Sequence, residues 1–519
     1  MEALIAVLAI LVAIAVLYAA AGRVGVPYPT LFVLGGLALA FVPGIPHIRL
    51  EPELVLLVFL PPLLFIAAID TPIRELRQNI VPITRLAFGL VFFTILTVGV
   101  TAQLLVPSFG WAAALTLGAI VAPTDALAAT TVFRRLSAPR IVTTLIEGEG
   151  LFNDATALVA VRAGVTAVVA GTFVFVDTAA GFVLAVVAGI AIGAVVGWIG
   201  ARLLDRLDEP TVEVVISFVI PFAAYLPADM VGASGVLAAV TAGLVIGSRL
   251  GTILTARSRI LWLGSWKMIG FVLNGFVFVL IGLELPTILE SLQDRGRLEI
   301  ALVIGAVCVV VVVTRIVWTY LSSLLPNSPY RVIARTDRVL AGRARFIVAW
   351  AGLRGAVSLA AALALPRDFP ERDLILLTTF AVILVTLVGQ GLTLPFLVRR
   401  ANSSGVDLDG DEPTLAREVA YEAGLDEVVR QRAAWPDHQP LIDRIESGLR
   451  DRVQHLATDD PDETAERDQE RIEHEQIRLA VIGAEREALI ELRDSRRIND
   501  QTLRQIEREL DLEELRMEG

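Results

Sequence analysis

Long apolar segments recur through the first 400 residues of this 519-residue chain, and they constrain the fold more than any other feature. A helix of about 20 apolar residues can cross a bilayer, and many of these segments exceed that length. A soluble protein would alternate shorter apolar stripes with polar faces. Lipid offers no partner to an open backbone, so spanning segments must be helical. We therefore predict an all-α polytopic membrane protein.

We delimit thirteen such segments and interpret each as a membrane-spanning helix. They cover residues 2–21, 29–46, 53–70, 80–106, 111–134, 140–171, 178–204, 211–227, 229–248, 261–286, 299–325, 344–366 and 372–398. The first is long and lacks a basic leader, so we interpret it as a span rather than a signal peptide. Arginines cluster after segments five, nine, eleven and thirteen. By the positive-inside rule, this alternation predicts a plasma-membrane protein with an external N-terminus and a cytoplasmic C-terminal tail.

The charge of the chain changes near residue 400. Residues 1–400 carry a net charge near +5, and residues 401–519 carry one near −16. This shift predicts a transmembrane domain followed by an acidic, helical cytoplasmic tail. In the tail, Pro436, Pro440 and residues 458–464 separate two blocks with helical spacing. The tail could regulate the protein, support a dimer or solubilise it, and its acidity argues against nucleic acid as a partner.

Two segments contain breaks at matching places. Segment five contains "IVAPTDALAAT", with Pro123 and Asp125 at its centre, and segment twelve contains "WAGLRGAVSLAA", with Gly352 and Arg354. The two are seven segments apart, and an odd offset makes them run in opposite directions through the membrane. Paired, interrupted helices of opposite direction are typical of inverted-repeat transporters, which bind their substrate near the midplane. Proline and glycine are common in membrane helices, but a charge at both breaks favours the transporter interpretation.

A run of acids, "EGEGLFNDATALVAV", interrupts the apolar sixth segment from residue 147 onward. A charge at the bilayer centre costs about 3 kcal/mol, so each one needs a partner or a function. Asp154 and Glu149 are five residues apart on one helix and therefore point to different sides of it. We predict that Glu149 forms a structural ion pair with Arg315, which has no acid near it in sequence. Glu147 lies closer to the predicted cytoplasmic loop, where we expect a peripheral residue that is solvated or lines a funnel.

Asp154 is the candidate exchange site. Burial disfavours the ionised form of a carboxylate, so such a group can hold a proton or, once ionised, a small cation, but not both. That exclusivity is sufficient to couple two gradients. Oxygen ligands suit Na+ or Li+, and we expect them from Asp154, from the Asp125 carboxylate or the Thr124 hydroxyl, and from main-chain carbonyls at the break. Asn153 adds an uncharged carbonyl oxygen beside Asp154.

Other charges are expected in structural positions. Asp125 and Arg354 are placed to compensate the partial charges of the helix ends at the two breaks. Arg162 lies two turns beyond Asp154 and is expected to pair with an acid that the sequence does not identify. Glu284 lies near the end of a span, which predicts an exposed rim position.

Other function classes fit less well. A passive cation channel needs rings of acids or carbonyls along a pore, and the sequence contains no such repeat. An intramembrane enzyme is disfavoured because only one of four histidines, His47, lies in the membrane part, and no nucleophile elbow or metal-ligand cluster is evident. We therefore expect no catalytic centre and no cofactor besides the transported ions. An antiporter for K+ or an organic anion on the same fold is the main alternative.

The run "GEGLFNDATALV" resembles the GESLxND signature of the NhaP-like Na+/H+ antiporters and exchangers. The motifs "LPPLLF", "APTDALAAT", "GLRGAVSLA" and "VGQGLTLP" are similar to motifs of that family and occur in the family's order within residues 1–400. The resemblance implies a thirteen-helix inverted-repeat fold, a homodimer, and exchange of Na+, Li+ or K+ for H+. An Asn-Asp pair at the site implies electroneutral, one-for-one exchange.

The resemblance also implies a role for each matching residue. It implies that Asp154 binds the ion and the proton, with Asn153 as its partner. Thr124 and Asp125 match ligands in the unwound helix. Glu149 and Arg315 match a structural ion pair, and Arg354 matches the charge of the second crossing helix. Two positions depart from the family's pattern. Ile66 stands where the family often has an acid, with Asp70 one turn further on the same helix face. Gly150 stands where the family has a serine, which removes a possible side-chain ligand.

Overall fold

A computed structural model describes residues 2–24, 26–41, 55–136, 138–170, 175–284, 296–330, 338–402, 412–456 and 481–492, with residues 495, 497, 506 and 510. Across these residues the regular secondary structure is helical throughout, which confirms the all-α prediction. The chain divides into two units, Met1–Leu408 and Asp409–Gly519. His47 and part of the tail lie outside the described residues.

The helices of the first unit follow the predicted segments in order. They are α1 (Glu2–Val24), α2 (Tyr28–Ala40), α3 (Leu60–Asp70), α4 (Ile80–Leu105), α5 (Trp111–Val121), α6 (Ala126–Arg135), α7 (Arg140–Ala170), α8 (Phe175–Leu204), α9 (Pro210–Met230), α10 (Gly235–Gly247), α11 (Ala256–Leu283), α12 (Arg297–Ser323), α13 (Arg338–Trp350), α14 (Ala356–Leu363) and α15 (Arg372–Arg400). Segments five and twelve each correspond to two shorter helices, α5 with α6 and α13 with α14, on either side of a break.

Among the described residues, eight helical spans are long and apolar enough to cross a membrane, and four further apolar helices are shorter. The prediction of a polytopic helical membrane protein is therefore confirmed. The number of thirteen crossings and the inverted-repeat relationship stay predictions. The broken span Pro107–Arg134 has 72% of its most apolar window buried, against 17% for Ala179–Leu204 in α8. The broken helix therefore lies inside the bundle, whereas α8 presents an apolar surface.

The two largest apolar clusters of the described residues organise this unit, and we call them its cores. The larger core includes Leu117 of α5, Phe133 of α6 and Phe380 of α15, all of which are almost fully buried. The second core gathers α8 to α11 around Ala238, Ala242, Trp262 and Trp266. Small residues bring α8 and α10 into close contact, with Gly193 against Ala238 and Gly197 against Ala242. The two cores place α7, with its acids, beside the broken helices.

The two breaks follow from backbone chemistry and touch each other. Pro123 has no N–H to donate to the preceding turn, so the regular helix α5 ends at Val121, although Ala122 still has helical backbone angles. Glycines on either side of Leu353 and Arg354 interrupt α13 and α14. The main-chain N–H of Asp125 donates a 2.7 Å hydrogen bond to the carbonyl oxygen of Leu353. The unwound stretches therefore cross with their main chains in contact.

The exposed rim position expected for Glu284 is wrong. Its residue surface is only 6% exposed. Val279, Leu280 and Ile281, near the end of α11, belong to the larger apolar core. Glu284 directly follows Leu283, the last residue of α11, so the end of the helix carries it into the protein.

The second unit contains a helical hairpin, α16 (Glu412–Ala434) and α17 (Gln439–Leu456). Arg432 holds the two helices together through Asp443 at 2.7 Å and Glu446 at 2.5 Å. Helix α17 occupies a stretch that the sequence analysis treated as a separator. Pro440 is compatible with it because proline is tolerated in the first turn of a helix, where its missing N–H has no intrahelical partner.

Candidate functional site

A cavity of about 470 Å³ runs along α7 into the centre of the first unit, and we call it the funnel. Helices α3, α6, α7, α11 and α14 contribute to its wall. Its charged lining consists of four carboxylates and two cationic side chains: Asp70, Asp125, Glu147, Asp154, Arg134 and Lys267. A cavity with more acids than bases attracts cations. The wall from α7 runs from Glu147 past Gly150 and Leu151 and reaches Asp154.

Helix α7 divides its functional residues between two faces. Gly150 and Asp154 are four residues apart and line the funnel. Glu149 and Asn153 are also four residues apart, and both contact Thr124 at the break of the neighbouring helix. Residues four apart share a helix face. Gly150 and Asp154 therefore face the cavity together, whereas Glu149 and Asn153, each one residue earlier, share a buried face. The structure thus separates Asp154 from Glu149, as the five-residue spacing predicts.

Glu149 and Arg315 form a bidentate ion pair inside the protein. The Glu149 Oε1 atom lies 2.5 Å from Arg315 Nη1, and Oε2 lies 2.9 Å from Nη2. Both residues are 1% exposed. Arg315 also donates through Nε and Nη2 to the carbonyl oxygen of Val348 on α13. A planar guanidinium matches a carboxylate in this geometry, so the pair joins α7, α12 and α13.

Thr124 connects this ion pair to the broken helix. Its hydroxyl donates to Glu149 Oε1 at 2.8 Å and accepts a hydrogen bond from Asn153 Nδ2 at 2.7 Å. The Asn153 amide also lies 3.4 Å from the Thr124 carbonyl oxygen. Asn153 Oδ1 is buried and, among the described residues, has no hydrogen-bond partner. The structure therefore places Asn153 against the break, on the face of α7 that does not line the funnel.

Asp125 caps the second half of the broken helix. Its Oδ1 atom accepts hydrogen bonds from the N–H groups of Leu127 at 3.0 Å and Ala128 at 3.3 Å. Its Oδ2 atom lies so close to Gly355 that a Cβ there would collide with it. Gly355 precedes the first residue of α14, so the carboxylate lies near the amino ends of α6 and α14. Both ends carry partial positive charge, which explains an acid at this break.

Arg354 supplies the opposite charge to the opposite helix end. Its Nη1 atom donates to the carbonyl oxygen of Ala122, at the carboxyl end of α5. Its own N–H donates to the Thr386 hydroxyl at 3.1 Å. The residue is fully buried. Asp125 and Arg354 therefore lie where the sequence analysis expected them, each at a helix end of opposite partial charge.

Asp154 differs from the other acids of this region. The residue is 8% exposed and lines the funnel. Among the described residues, no donor forms a hydrogen bond with its carboxylate and no cationic side chain pairs with it. Glu149, by contrast, is bound by an arginine and Asp125 by two N–H groups. Asp154 therefore presents an acidic group that is free to bind a proton or a cation from the funnel.

Arg134 lies at an exposed end of the funnel, between two acids. Its Nη2 atom is 3.3 Å from Glu147 and 3.7 Å from Asp70. The Asp70 side chain is 43% exposed and that of Glu147 only 17%. Asp70 thus belongs to the mouth of the funnel, one turn of α3 beyond Ile66. Glu147 therefore lines the funnel away from Asp154, one of the two positions expected for it, and it is paired with Arg134.

Gly150 is tightly packed at the level of the site. A Cβ atom built at this position would lie 2.5 Å from the Cβ of Ala126, the first residue of α6. A serine there would therefore push α6 away from α7. Glycine, where the family has serine, thus occurs at the point where α7 closely contacts the first residue of α6.

Sequence reasoning missed several residues of the funnel. Lys267 and Asn274, both on α11, line the cavity. Lys267 is exposed and is the only lysine in the chain. A polar residue within an apolar span is the signal that could have identified both. Arg134 was attributed to orientation alone, although it also pairs with two acids of the mouth.

The fold and this site define a class of membrane transporter with broken, crossing helices. Residues 7–400 match the sequence profile described as sodium/hydrogen exchanger, transmembrane. An uncharacterised Na+/H+ exchanger of Mycobacterium tuberculosis is 34% identical and spans 99% of this chain and 96% of its own length. A sodium, potassium, lithium and rubidium/H+ antiporter of Bacillus pumilus is 34% identical over 74% of this chain and 60% of its own.

The fold is also similar to a solved structure, that of the sodium proton antiporter MjNhaP1 from Methanocaldococcus jannaschii. The TM-score is 0.60 at 18% identity, and the match covers 77% of this chain and 99% of the other. The chain belongs to the transmembrane sodium/hydrogen exchanger family. The resemblance inferred from its motifs is thereby confirmed.

Proposed function

We propose that this protein is a secondary-active antiporter that exchanges Na+ or Li+ for H+ by competition at Asp154. The observation that carries the proposal is the carboxylate of Asp154, which faces the funnel without a hydrogen-bond or ion-pair partner among the described residues. A buried carboxylate without a partner favours binding of a proton or a cation over remaining as a bare charge. Since one group cannot hold both, release of one ion is required for binding of the other.

Oxygen ligands for the cation are available around Asp154. Asp125 and Thr124 line the same funnel. The Thr124 hydroxyl donates to Glu149 and accepts from Asn153, and an oxygen of this type retains one more lone pair. Asn153 then acts by holding Thr124 in place. Alternating access would expose this cluster to each side of the membrane in turn.

The charge arrangement favours electroneutral exchange. Asn153 cannot ionise, the Glu149 carboxylate is paired with Arg315 at 2.5 Å, and Asp125 is bound by two N–H groups. Asp154 alone then changes its charge during the cycle, which gives one cation per proton. Competition at one carboxyl group predicts that the half-saturating Na+ concentration rises about tenfold per unit of acidification once the group is largely protonated.

A K+/H+ antiporter on the same fold is the second candidate. The observation that favours it is Gly150, which offers no side-chain oxygen beside the site. A relative from Bacillus pumilus is named for potassium and rubidium as well as sodium and lithium. Fewer ligands weaken the discrimination between cations of different size, since selectivity depends on ligand number and cavity size.

The remaining properties are proposals from the sequence. They are a plasma-membrane location with an external N-terminus, a homodimer, and a regulatory or dimer-supporting tail. Deletion of residues 405–519 tests the tail, because unchanged pH dependence and oligomeric state would argue against both roles. The apolar surface of α8 is available for lipid or for a second copy.

The exchange reaction can be tested in proteoliposomes that contain a proton-sensitive dye. Addition of Na+, Li+ or K+ in turn should produce proton movement and rank the three cations. Asp154→Asn should abolish it while the protein retains its unfolding temperature. Asp205→Asn is the control, since it makes the same substitution at an exposed aspartate that does not line the funnel. Persistent exchange in Asp154→Asn would contradict the proposed mechanism.

A further inference from the structure

The funnel lines only part of α7. Its lining on this helix starts at Glu147 and ends at Asp154. Arg162 lies eight residues beyond Asp154, which corresponds to about 12 Å along the helix axis. Glu147 and Arg162 therefore lie on opposite sides of the exchange site. An antiporter needs a second route to Asp154, from the side of Arg162.

Next to Asp154, a cluster of buried apolar residues joins α3, α7, α9 and α10. Its α3 members Leu60 and Leu64 line the funnel. Four members from the other three helices lie outside the lining, and we call them the apolar plug: Ala155, Tyr225, Val236 and Leu237. Each is at most 4% exposed. Ala155 directly follows Asp154 in sequence, so the plug starts at the exchange site itself. Packed apolar side chains exclude water and hydrated ions.

An ion pair follows the plug on its outer side. Arg162 Nη2 of α7 lies 2.5 Å from Asp229 Oδ1 of α9. Asp229 is one turn after Tyr225 on α9, so the pair and the plug share a helix face. The two side chains are 56% and 35% exposed. Exposed ion pairs are screened by water and contribute little to stability, so such a pair can open and close repeatedly.

We propose that Arg162 and Asp229 control access to Asp154 from the side opposite the funnel. The pair joins the helix that carries the exchange site to a helix of the second apolar core, and it closes over the plug. Separation of the two residues is then part of each transport cycle. This inference rests on the proposed antiport, because only a transporter needs the second route.

The test measures access to two introduced cysteines in a Cys308→Ala background. Leu237→Cys reports on the plug, and Ala67→Cys reports on the funnel, where Ala67 is part of the lining. Protein in lipid nanodiscs is treated with a membrane-impermeant maleimide, which reaches both faces. The charge reversals Arg162→Glu and Asp229→Arg each place like charges together, and the double variant Arg162→Glu/Asp229→Arg restores an opposite pair. If either reversal prevents folding, Arg162→Gln and Asp229→Asn replace the pair.

Each reversal should raise the labelling rate of the plug cysteine, at position 237, about tenfold. It should lower the labelling rate of the funnel cysteine, at position 67, because opening one route closes the other. The double variant should return both rates towards those of the parent. A purely structural pair would give a different result, with both rates rising together or neither changing, and that result would overturn the proposal. The labelling needs no transported ion. The labelling result is therefore independent of the proposed exchange at Asp154, which is contradicted only if Asp154→Asn still exchanges protons.

Discussion

Arg354 donates a hydrogen bond to the carbonyl oxygen of Ala122, so the charged side chain from the break between α13 and α14 contacts the carboxyl end of α5. Asp125 does the reverse, with its carboxylate at the amino ends of α6 and α14. Together, an acid and a base compensate the partial charges that unwinding exposes inside the membrane. This explains why both breaks contain a charged residue, although only Asp125 of the two lines the funnel.

Two substitutions of Asp125 should distinguish its role as a helix cap from a role as a cation ligand. Asparagine caps a helix as well as aspartate does, whereas alanine loses about 1 kcal/mol. Asp125→Asn should therefore keep the unfolding temperature, while Asp125→Ala should lower it. If the carboxylate also binds the cation, Asp125→Asn should raise the half-saturating Na+ concentration. Equal destabilisation by both substitutions would show that the capping hydrogen bonds contribute nothing.

Glu149→Ala should strongly destabilise the protein. It leaves Arg315 buried without its carboxylate, and breaking a buried ion pair costs about 3–5 kcal/mol. Thermal unfolding in detergent and the yield of folded protein measure the loss. Glu149→Ala/Arg315→Met is the matched double variant, and it should be more stable than Glu149→Ala because no charge is left unpaired. Normal yield and melting of the single variant would argue against a structural pair.

Gly150→Ser should destabilise the protein unless Ala126 is changed as well. The new Cβ would overlap the Ala126 side chain, and overpacking of this kind costs about 1–3 kcal/mol. Gly150→Ser/Ala126→Gly removes the overlap and should restore the unfolding temperature. The double variant then carries a hydroxyl on the face of α7 that lines the funnel. We expect it to favour Na+ over K+ more than the parent does, measured as the ratio of half-saturating concentrations.

Arg134→Gln should lower the half-saturating Na+ concentration by a few-fold, because it frees Asp70 and Glu147 to attract cations into the funnel. The effect should shrink from low ionic strength to about 0.15 M salt, as expected for partly exposed charges. Choline chloride is suitable for adjusting the ionic strength. Arg249→Gln removes the same charge outside the funnel and should leave the Na+ dependence unchanged. A rise instead of a fall would indicate that Arg134 assists cation entry.

Local sequence signals predicted the fold better than they predicted the partners within it. Each of the thirteen segments overlaps a described helix, because apolar length alone decides whether a helix can span a membrane. The chemistry of Pro123 located the first break. The partner of Arg162 was not predictable, because Asp229 is 67 residues away and only the packing of α9 brings it near. Glu284 was misplaced for the same reason, since burial of a helix end depends on its neighbours.

In the site, too, local sequence signals predicted the positions of residues along a helix but not their partners. The spacing of Glu149 and Asp154 predicted their separation onto two faces of one helix. No local pattern indicated that the Thr124 hydroxyl would bridge Glu149 and Asn153, because that arrangement depends on the shape of the break. Gly150 was recognised as a departure, but its contact with Ala126 depends on how closely α6 approaches α7.

Lys267 has a practical consequence. It is the only lysine among 519 residues, it is exposed, and it lines the funnel. An amine-reactive dye can therefore modify a single side chain of the natural sequence, inside the cavity that leads to Asp154. Fluorescence from that position would report how water and ions occupy the cavity during turnover, without any engineered residue.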